Sequence, residues 1–490
     1  MSQVKLFSSS GGARVAKRSG RQKKQKVKKP LKTLAIWLLV ILCLEGLYFF
    51  CIYTNNSFVK KWRTIYINTA MDTMRHQWLA TYFIPKDVID EVRYEYGLVK
   101  AGTVGKESTW GRTDPAPADQ TPSTSDDNIV TLDPNVTHET DQPDAEELTQ
   151  EELEKQAEEN FYSVFWELDR TSMETYLAEH PDTLANGWEH IYINEAGFDD
   201  KGTSIQSTFG EQVLAIDAYN GVLLLRISGK GYRGVLAVGK DPSRLSIEMA
   251  TTLGTAGQLS GTIAEAHNGV LAMNANGFLD PNGAGNGGLL AGYTMSNGKA
   301  YGDHFSAYAY KRIELHEDNL FYIKDALSPV SEDCTDAAEF TPALIVDGKK
   351  IMDDYWTGEQ PRACIGQSEN YEILMLVIEG RYPLEGILGT SVNNCSEILL
   401  QHKCMQAINL DGGSSAMLWF DGEYVTQSSS SPLRYTGGRP LPNAWVYKKA
   451  KKEKGAKSME QWDIYDENKQ KTGRTMNRNG CHMKMHLRHE

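Results

Sequence analysis

The sequence predicts an α+β fold with a largely antiparallel sheet, set behind one N-terminal transmembrane helix. Three observations carry that expectation. "LAIWLLVILCLEGLYFFCIY", Leu34 to Tyr53, is a long apolar run; from about Phe161 the chain breaks into short β-rich runs divided by Asn-Gly and Asp-Gly pairs; and a few helical segments interrupt those runs.

The membrane helix comes first. Met1 to Lys32 holds eleven Lys or Arg and no acid, although the 490-residue chain carries a net charge of -13. A basic arm alone would suit nucleic acid. This one runs straight into the ~20 apolar residues a helix needs to cross a bilayer, and the chain beyond lacks a basic stripe, so nucleic acid is excluded as a partner. The positive-inside rule places residues 1–33 in the cytoplasm, the helix at 34–53 in the membrane, and everything after Tyr53 outside. A cleaved signal peptide fits less well, because the run exceeds the usual ~7–15 residue h-region and "FFCIYTNNS" offers no small-x-small site.

Residues 54–100 read as a juxtamembrane helical stalk. Ile65, Thr69, Met71, Met74, Trp78, Leu79 and Tyr82 recur at helical spacing before Pro85. Residues 101–160 carry sixteen Asp or Glu against Lys106, Arg112 and Lys155, which predicts an acidic disordered linker. The folded domain spans 161–449, and 450–490 reads as a poorly ordered polar tail. Within the domain, Asn220-Gly221, Asp347-Gly348 and Asp421-Gly422 each sit between apolar runs and predict hairpins. "DPSRLSIEMATTLG", "GQLSGTIAEAHNG" and "SVNNCSEILLQHKC" predict helices. Strands with a few helices among them make an α+β domain. Of the cysteines outside the membrane, Cys395 with Cys404 is the pair suggested by proximity, and free buried thiols are the alternative.

The chemistry centres on "AINLDGGSSAMLWFDGEY", Ala407 to Tyr424. An apolar strand stops for Asn409, Asp411, Gly412, Gly413, Ser414 and Ser415 and then resumes. Paired glycines let the backbone turn sharply toward a ligand, and a carboxylate on such a turn can act as general acid or base. Other polar sets also stand at strand ends: Asn274, Asn276 and Gly277 in "MNANGF", Arg362 in "PRACIG", Glu379 and Arg381 in "IEGR", and Arg439 in "GRPLPNAWVY". A rigid sheet can present such ends to one cleft. Glu265 with His267 reads as a solvated helix end, and His304 in "YGDHFSAY" as a structural loop histidine.

Taken in this order, the five blocks resemble the phosphodiester glycosidase family over roughly Ala264 to Tyr447. The family often has a third glycine where this chain has Ser414, and an Asp where it has Glu379. The resemblance implies hydrolysis of the bond between a sugar's anomeric carbon and a phosphate. Residue chemistry suits that implication. Arg362, Arg381 or Arg439 would hold the phosphate in a charge-assisted fork, with the Gly412-Gly413 turn, Ser414 and Ser415 adding donors. Asn274 and Asn276 would bond sugar hydroxyls. An oxocarbenium-like state needs a carboxylate, for which Asp411 is the first choice and Glu379 a second. No cofactor is required, although Asn409, Asp411 and nearby carbonyls could give oxygen ligands to Ca²⁺ or Mg²⁺. The expectation is thus a membrane-anchored extracellular hydrolase acting on a carbohydrate phosphodiester of an envelope glycan. The alternatives are a non-catalytic glycan-binding or exopolysaccharide-assembly protein that keeps the fold, and an envelope interaction protein working through its stalk and linker.

Overall fold

A computed structural model of the chain describes residues 29–73, 77–110, 149–197, 201–280, 285–306, 309–352, 358–429, 438–451, 461–465 and 471–477. The chain divides into two compact units, Met1–Arg63 and Thr64–Glu490. The first is dominated by helix α1, Lys29–Tyr53, whose span Thr33–Tyr53 is long and apolar enough to cross a membrane, with a mean hydropathy of 2.4. A signal sequence near an N-terminus meets the same criterion. The Arg63 guanidinium caps the helix's free C-terminal carbonyls, donating to Ile52 O at 2.6 Å and Thr54 O at 3.1 Å.

Residues 54–100 are helical in pieces: α2 (Ser57–Met71), α3 (Trp78–Thr81) and α4 (Lys86–Ala101). The helical spacing read up to Pro85 does not make one helix. Pro85 has no N–H to give and stands just before α4 at φ -56, ψ 144, where none is needed. Ile65, Ile67 and Ala70 of α2 and Val88, Ile89 and Val92 of α4 are buried, and Arg93 on α4 bonds Asp72 at 2.7 Å.

The linker expected over 101–160 is folded at both described ends, while 111–148 lies outside the described residues. Ser108 N–H donates to Ile323 O at 2.9 Å, so the chain runs along the edge strand Phe321–Asp325 and satisfies its backbone. Ser108 Oγ donates to Gln406 Oε1 at 2.8 Å, and Trp110 Nε1 to Phe321 O at 2.9 Å. The single acid of this stretch, Glu107, does not prevent docking when a sheet edge offers partners for the main chain. At the other end Thr149 and Glu152 form a capping box that starts α5 (Gln150–Val164), whose Phe161 and Tyr162 are buried. Helix α6 (Arg170–Glu179) follows, N-capped by Asp169.

Every strand pairing among the described residues is antiparallel. The α+β architecture follows the sequence. A nine-stranded sheet runs in the order Tyr192–Asn194, Gln212–Asp217, Val222–Gly229, Tyr232–Gly239, Ile373–Glu379, Arg362–Ser368, Cys404–Asn409, Ala343–Val346, Lys349–Lys350. Its central strands are buried along their whole length, Ile373–Glu379 as an apolar run and Arg362–Ser368 with Arg362, Gln367 and Ser368 hydrogen-bonded inside. A five-stranded sheet orders Glu423–Tyr424, Leu418–Phe420, Gly269–Asn274, Asn443–Lys448 and Leu245–Met249, and a second five-stranded sheet is built from residues 294–340.

Each of the three dipeptide signals closes a hairpin, and at Asp347-Gly348 and Asp421-Gly422 both residues have positive φ. Two of the three expected helices form, α7 (Ser260–Ala266) and α8 (Val392–Gln401), the latter N-capped by Ser391. "DPSRLSIEMATTLG" instead gives a 3-10 turn and the strand Leu245–Met249, which pairs with Asn443–Lys448. Cross-strand burial there overrode a weak helical spacing. Cys334, Cys364, Cys395 and Cys404 are free buried thiols, with Cys395 and Cys404 both close enough to Cys364 to act on its thiol. In the tail, Gln461–Tyr465 and Lys471–Asn477 pair as a hairpin.

Candidate active site

Antiparallel register assembles the site. Arg362 opens a strand in which it faces Ile378 on one neighbour, while Cys364 faces Asn409 on the other. The start of that strand therefore lies beside the ends of the strands carrying Glu379 and Asn409. Past Asn409 the pairing continues through Leu410 N–H to Ala363 O at 2.8 Å and Gly413 N–H to Pro361 O at 3.0 Å, which seats the Asp-Gly-Gly turn on the strand entrance. A Cβ on Gly412 would lie 2.6 Å from Pro361 O, so only glycine permits that approach. The second sheet is tied in by Asn274, at the end of Gly269–Asn274, whose Nδ2 donates to the Asp411 carbonyl at 2.7 Å.

Asp411 sits at the floor of this junction with part of its surface still open. Burial pushes its carboxyl up to about 6, with the Ser415 hydroxyl, Arg439 and Arg381 pulling it down and Asp280 opposing them. Arg381 reaches it from a sharp bend after Glu379, held at φ +67. A positive φ on a non-glycine residue is strained, and here it turns the guanidinium inward. That guanidinium lies 3.0 Å from where a Gly413 Cβ would be, and its Nη2 donates to Gln360 Oε1 at 3.3 Å. Arg439 pairs with Asp280 at 2.5 Å, donates to Gly285 O, and stacks on Phe278 at 4.6 Å. On the far side, Gly277 permits a close approach: a Cβ there would stand 3.9 Å from the Asp411 carboxyl carbon and a tight 3.2 Å from the Phe340 ring.

The remaining sequence candidates are placed differently. Glu379 is 5% exposed with both oxygens engaged, by Arg233 Nε at 2.6 Å and Gln427 N–H at 2.7 Å. Burial raises its pKa against the pull of Arg233. The groups acting on it are Arg233 and Glu385, a different set from those around Asp411. Asn276 spends its amide on Tyr293 O, Thr294 Oγ1 and Asn443, and is fully buried. Asn409 Nδ2 is committed to Thr341 O at 2.8 Å. Arg362 gives Nε to Thr390 O at 3.0 Å and Nη2 to Gly358 O at 2.7 Å. The Ser414 carbonyl lies against Gly438 and accepts from Ser428 Oγ at 3.4 Å. Thus Asp411, Arg381, Arg439, Asn274, Gly277, Gly412, Gly413 and Ser415 come together, with Arg362 beside them. Asn276 and Asn409 brace the walls.

Sequence reading missed two residues at the site. Asp280, within "FLDPNG", holds Arg439; its position before a proline marked a turn and nothing more. Gln360 has one amide face on Arg381 and a buried Nε2 with no partner among the described residues. Asn274 Oδ1 is likewise buried without one. Buried polar atoms are nearly always bonded, so both orphans call for a partner that the described residues do not supply.

Among the described residues no three His, Cys, Asp or Glu side chains gather as a metal site. Of the two oxygen ligands the sequence suggested for a Ca²⁺ or Mg²⁺, Asn409 spends its Nδ2 on Thr341 O, and Asp411 lies in the field of Arg439, Arg381 and Asp280.

The family comparison agrees with the blocks that built this cleft. A profile of the phosphodiester glycosidase family matches residues 267–448. No curated protein matches the chain. Among solved structures, the zebrafish N-acetylglucosamine-1-phosphodiester alpha-N-acetylglucosaminidase catalytic domain, auto-inhibited by its pro-peptide, is similar at 14% identity and a TM-score of 0.40, covering 47% of this chain and 82% of that one. A hypothetical protein from Synechocystis is similar at 15% identity and a TM-score of 0.33, covering 49% and 65%. Residues 267–448 of this chain are a domain of the phosphodiester glycosidase family.

Proposed function

We propose that the chain is a membrane-anchored hydrolase, with its N-terminus cytoplasmic and its domain outside, that cleaves the bond between a sugar's anomeric carbon and a phosphodiester in an envelope glycan. The family match supports glycosidase-type chemistry, and the apolar span at 33–53, preceded by the basic arm, supports the anchor. The observation that carries the reading is the setting of Asp411: a carboxyl raised to about 6 on a glycine turn, between Arg381 and the Arg439–Asp280 pair.

Those parts divide the work. Arg381 supplies fixed positive charge for the phosphate. Once ionised, Asp411 serves as nucleophile at the anomeric carbon or as base toward water, and its raised pKa lets it take and return a proton near neutrality. Phosphate leaves readily, which lightens the demand for a separate acid. Gly277 lets its loop approach Asp411 and Phe340 closely, and Asn274 Oδ1 is an unpartnered acceptor at the same junction, suited to a sugar hydroxyl.

The test is sugar release by the detergent-solubilised full chain from N-acetylglucosamine 1-phosphate esterified to glycerol, beside Asp411→Asn. Release lost in the variant upholds the reading. A folded chain that releases nothing across a panel of sugar phosphodiesters overturns it in favour of glycan binding without cleavage.

A further inference from the structure

Helix α4 does not stand clear of the catalytic domain. The α2 backbone at Thr69 packs so tightly on Gly358 that a Cβ there would fall 2.2 Å from Thr69 Oγ1. Gly358 in turn gives its carbonyl to Arg362. From α4, Lys100 is half-buried with its ammonium 4.4 Å above the Tyr96 ring, and it lies near enough to Arg362 for the two charges to act on each other. Arg362 acts in the same way on Arg381. Lys100, Arg362 and Arg381 thus form a row that ends at Asp411.

This row is short of counter-charge. Arg93 has Asp72 and Arg439 has Asp280, but no carboxylate among the described residues lies within ion-pair distance of Lys100, Arg362 or Arg381. Burial brings Lys100 down to about 8, Asp72 opposing and Arg93 and Arg362 pushing further, and burial with Arg362 lowers Arg381 against the pull of Asp411. Beside them stands Gln360, 6% exposed, with its orphaned Nε2. Three partly desolvated cations that meet only neutral carbonyl oxygens among the described residues, with one unpaired donor beside them, make a place for an acceptor-rich anion. One phosphodiester at Asp411 brings a single negative charge, which leaves this row undersupplied.

We propose that Lys100, Arg362, Arg381 and the Gln360 amide form a subsite for a second phosphate of the substrate, so that the juxtamembrane helix supplies part of the binding site and the substrate is a glycan bearing a further phosphate on the leaving side of the cleavage point. The kinetic form of this proposal rests on the hydrolase reading; the binding form does not. Two substrates are compared on the solubilised full chain: N-acetylglucosamine 1-phosphate esterified to glycerol, and the same diester with a phosphate on the terminal glycerol hydroxyl. The wild type is expected to favour the second by about tenfold in kcat/KM, the scale of one charge-assisted contact. Lys100→Met should collapse that ratio, Lys100→Arg should keep it, and Lys86→Met, at an exposed pair on the same helix, should not change it. Equal rates on both substrates in the wild type, or an unchanged ratio in Lys100→Met, would overturn the proposal. If neither substrate is cleaved, the hydrolase reading fails and inorganic pyrophosphate decides the subsite. A rise in melting temperature in wild type that is lost in Lys100→Met upholds it, and no rise, or equal rises, refutes it.

Discussion

Replacing Asp411 with Asn should abolish turnover and yet make the protein more stable at neutral pH. The folded carboxyl ionises at about 6 against an ordinary 3.8, because burial penalises the charge more than Ser415, Arg439 and Arg381 recover. A folded pKa above the unfolded one means that the native state holds its proton more tightly. Ionisation therefore costs stability, which falls as pH rises from about 4 to about 6 and stays low above that. Roughly two units at ~1.36 kcal/mol each give about 3 kcal/mol, an upper figure because the open part of the residue is screened by solvent. Asn has no charge to bury. Urea unfolding of residues 64–451 at several pH values should then show the variant gaining on the wild type by about half that amount at pH 5 and all of it by pH 7. A stability difference that stays flat with pH, or an Asn variant less stable than wild type at pH 8, would refute the claim that Asp411 is held charged at a cost for the sake of its chemistry.

Other substitutions separate support from chemistry. Wild-type kcat/KM should rise with pH through about 6 as Asp411 ionises, and a profile flat from pH 5 to 8 would remove Asp411 from the rate-determining chemistry. Gly413→Ala places a Cβ at φ +61 against the Arg381 guanidinium, so it should cost about 1 kcal/mol in urea unfolding and depress kcat/KM on the diester far more than that strain alone would. Glu379→Gln loosens the bond to Arg233 without touching the Asp411 turn; because burial already raises the Glu379 pKa, removing the charge should cost no stability in urea unfolding at pH 7, and sugar release should stay measurable, whereas complete loss of release would make Glu379 a reacting group. A fragment beginning at Phe161 should melt lower than one beginning at Thr64, since it strips Ser108 and Trp110 from the strand edge at Phe321–Asp325.

The sequence by itself determined what depends on neighbours along the chain. The apolar span, the Asn-Gly and Asp-Gly hairpins, the capped helix at Val392 and the Asp411 glycine turn are all local: each needs a composition, a periodicity or a backbone freedom that a few adjacent residues already possess. The order of the polar strand ends carried the family and the antiparallel sheet. Tertiary structure decided how side chains distant in sequence share one cleft. Glu379 looked reactive until Arg233, 146 residues away, and Gln427 closed on it; Asn276 looked like a sugar ligand until Tyr293, Thr294 and Asn443 used up its amide. Asp280, Gln360 and Lys100 carried no local mark at all. The strand at Leu245 and the docked stretch at Ser108 were decided by partners across a sheet, whose pairing outweighed helical spacing in one case and acidic composition in the other. What a side chain can do follows from its own atoms, but whether it is free to do it depends on which distant groups the fold places against it.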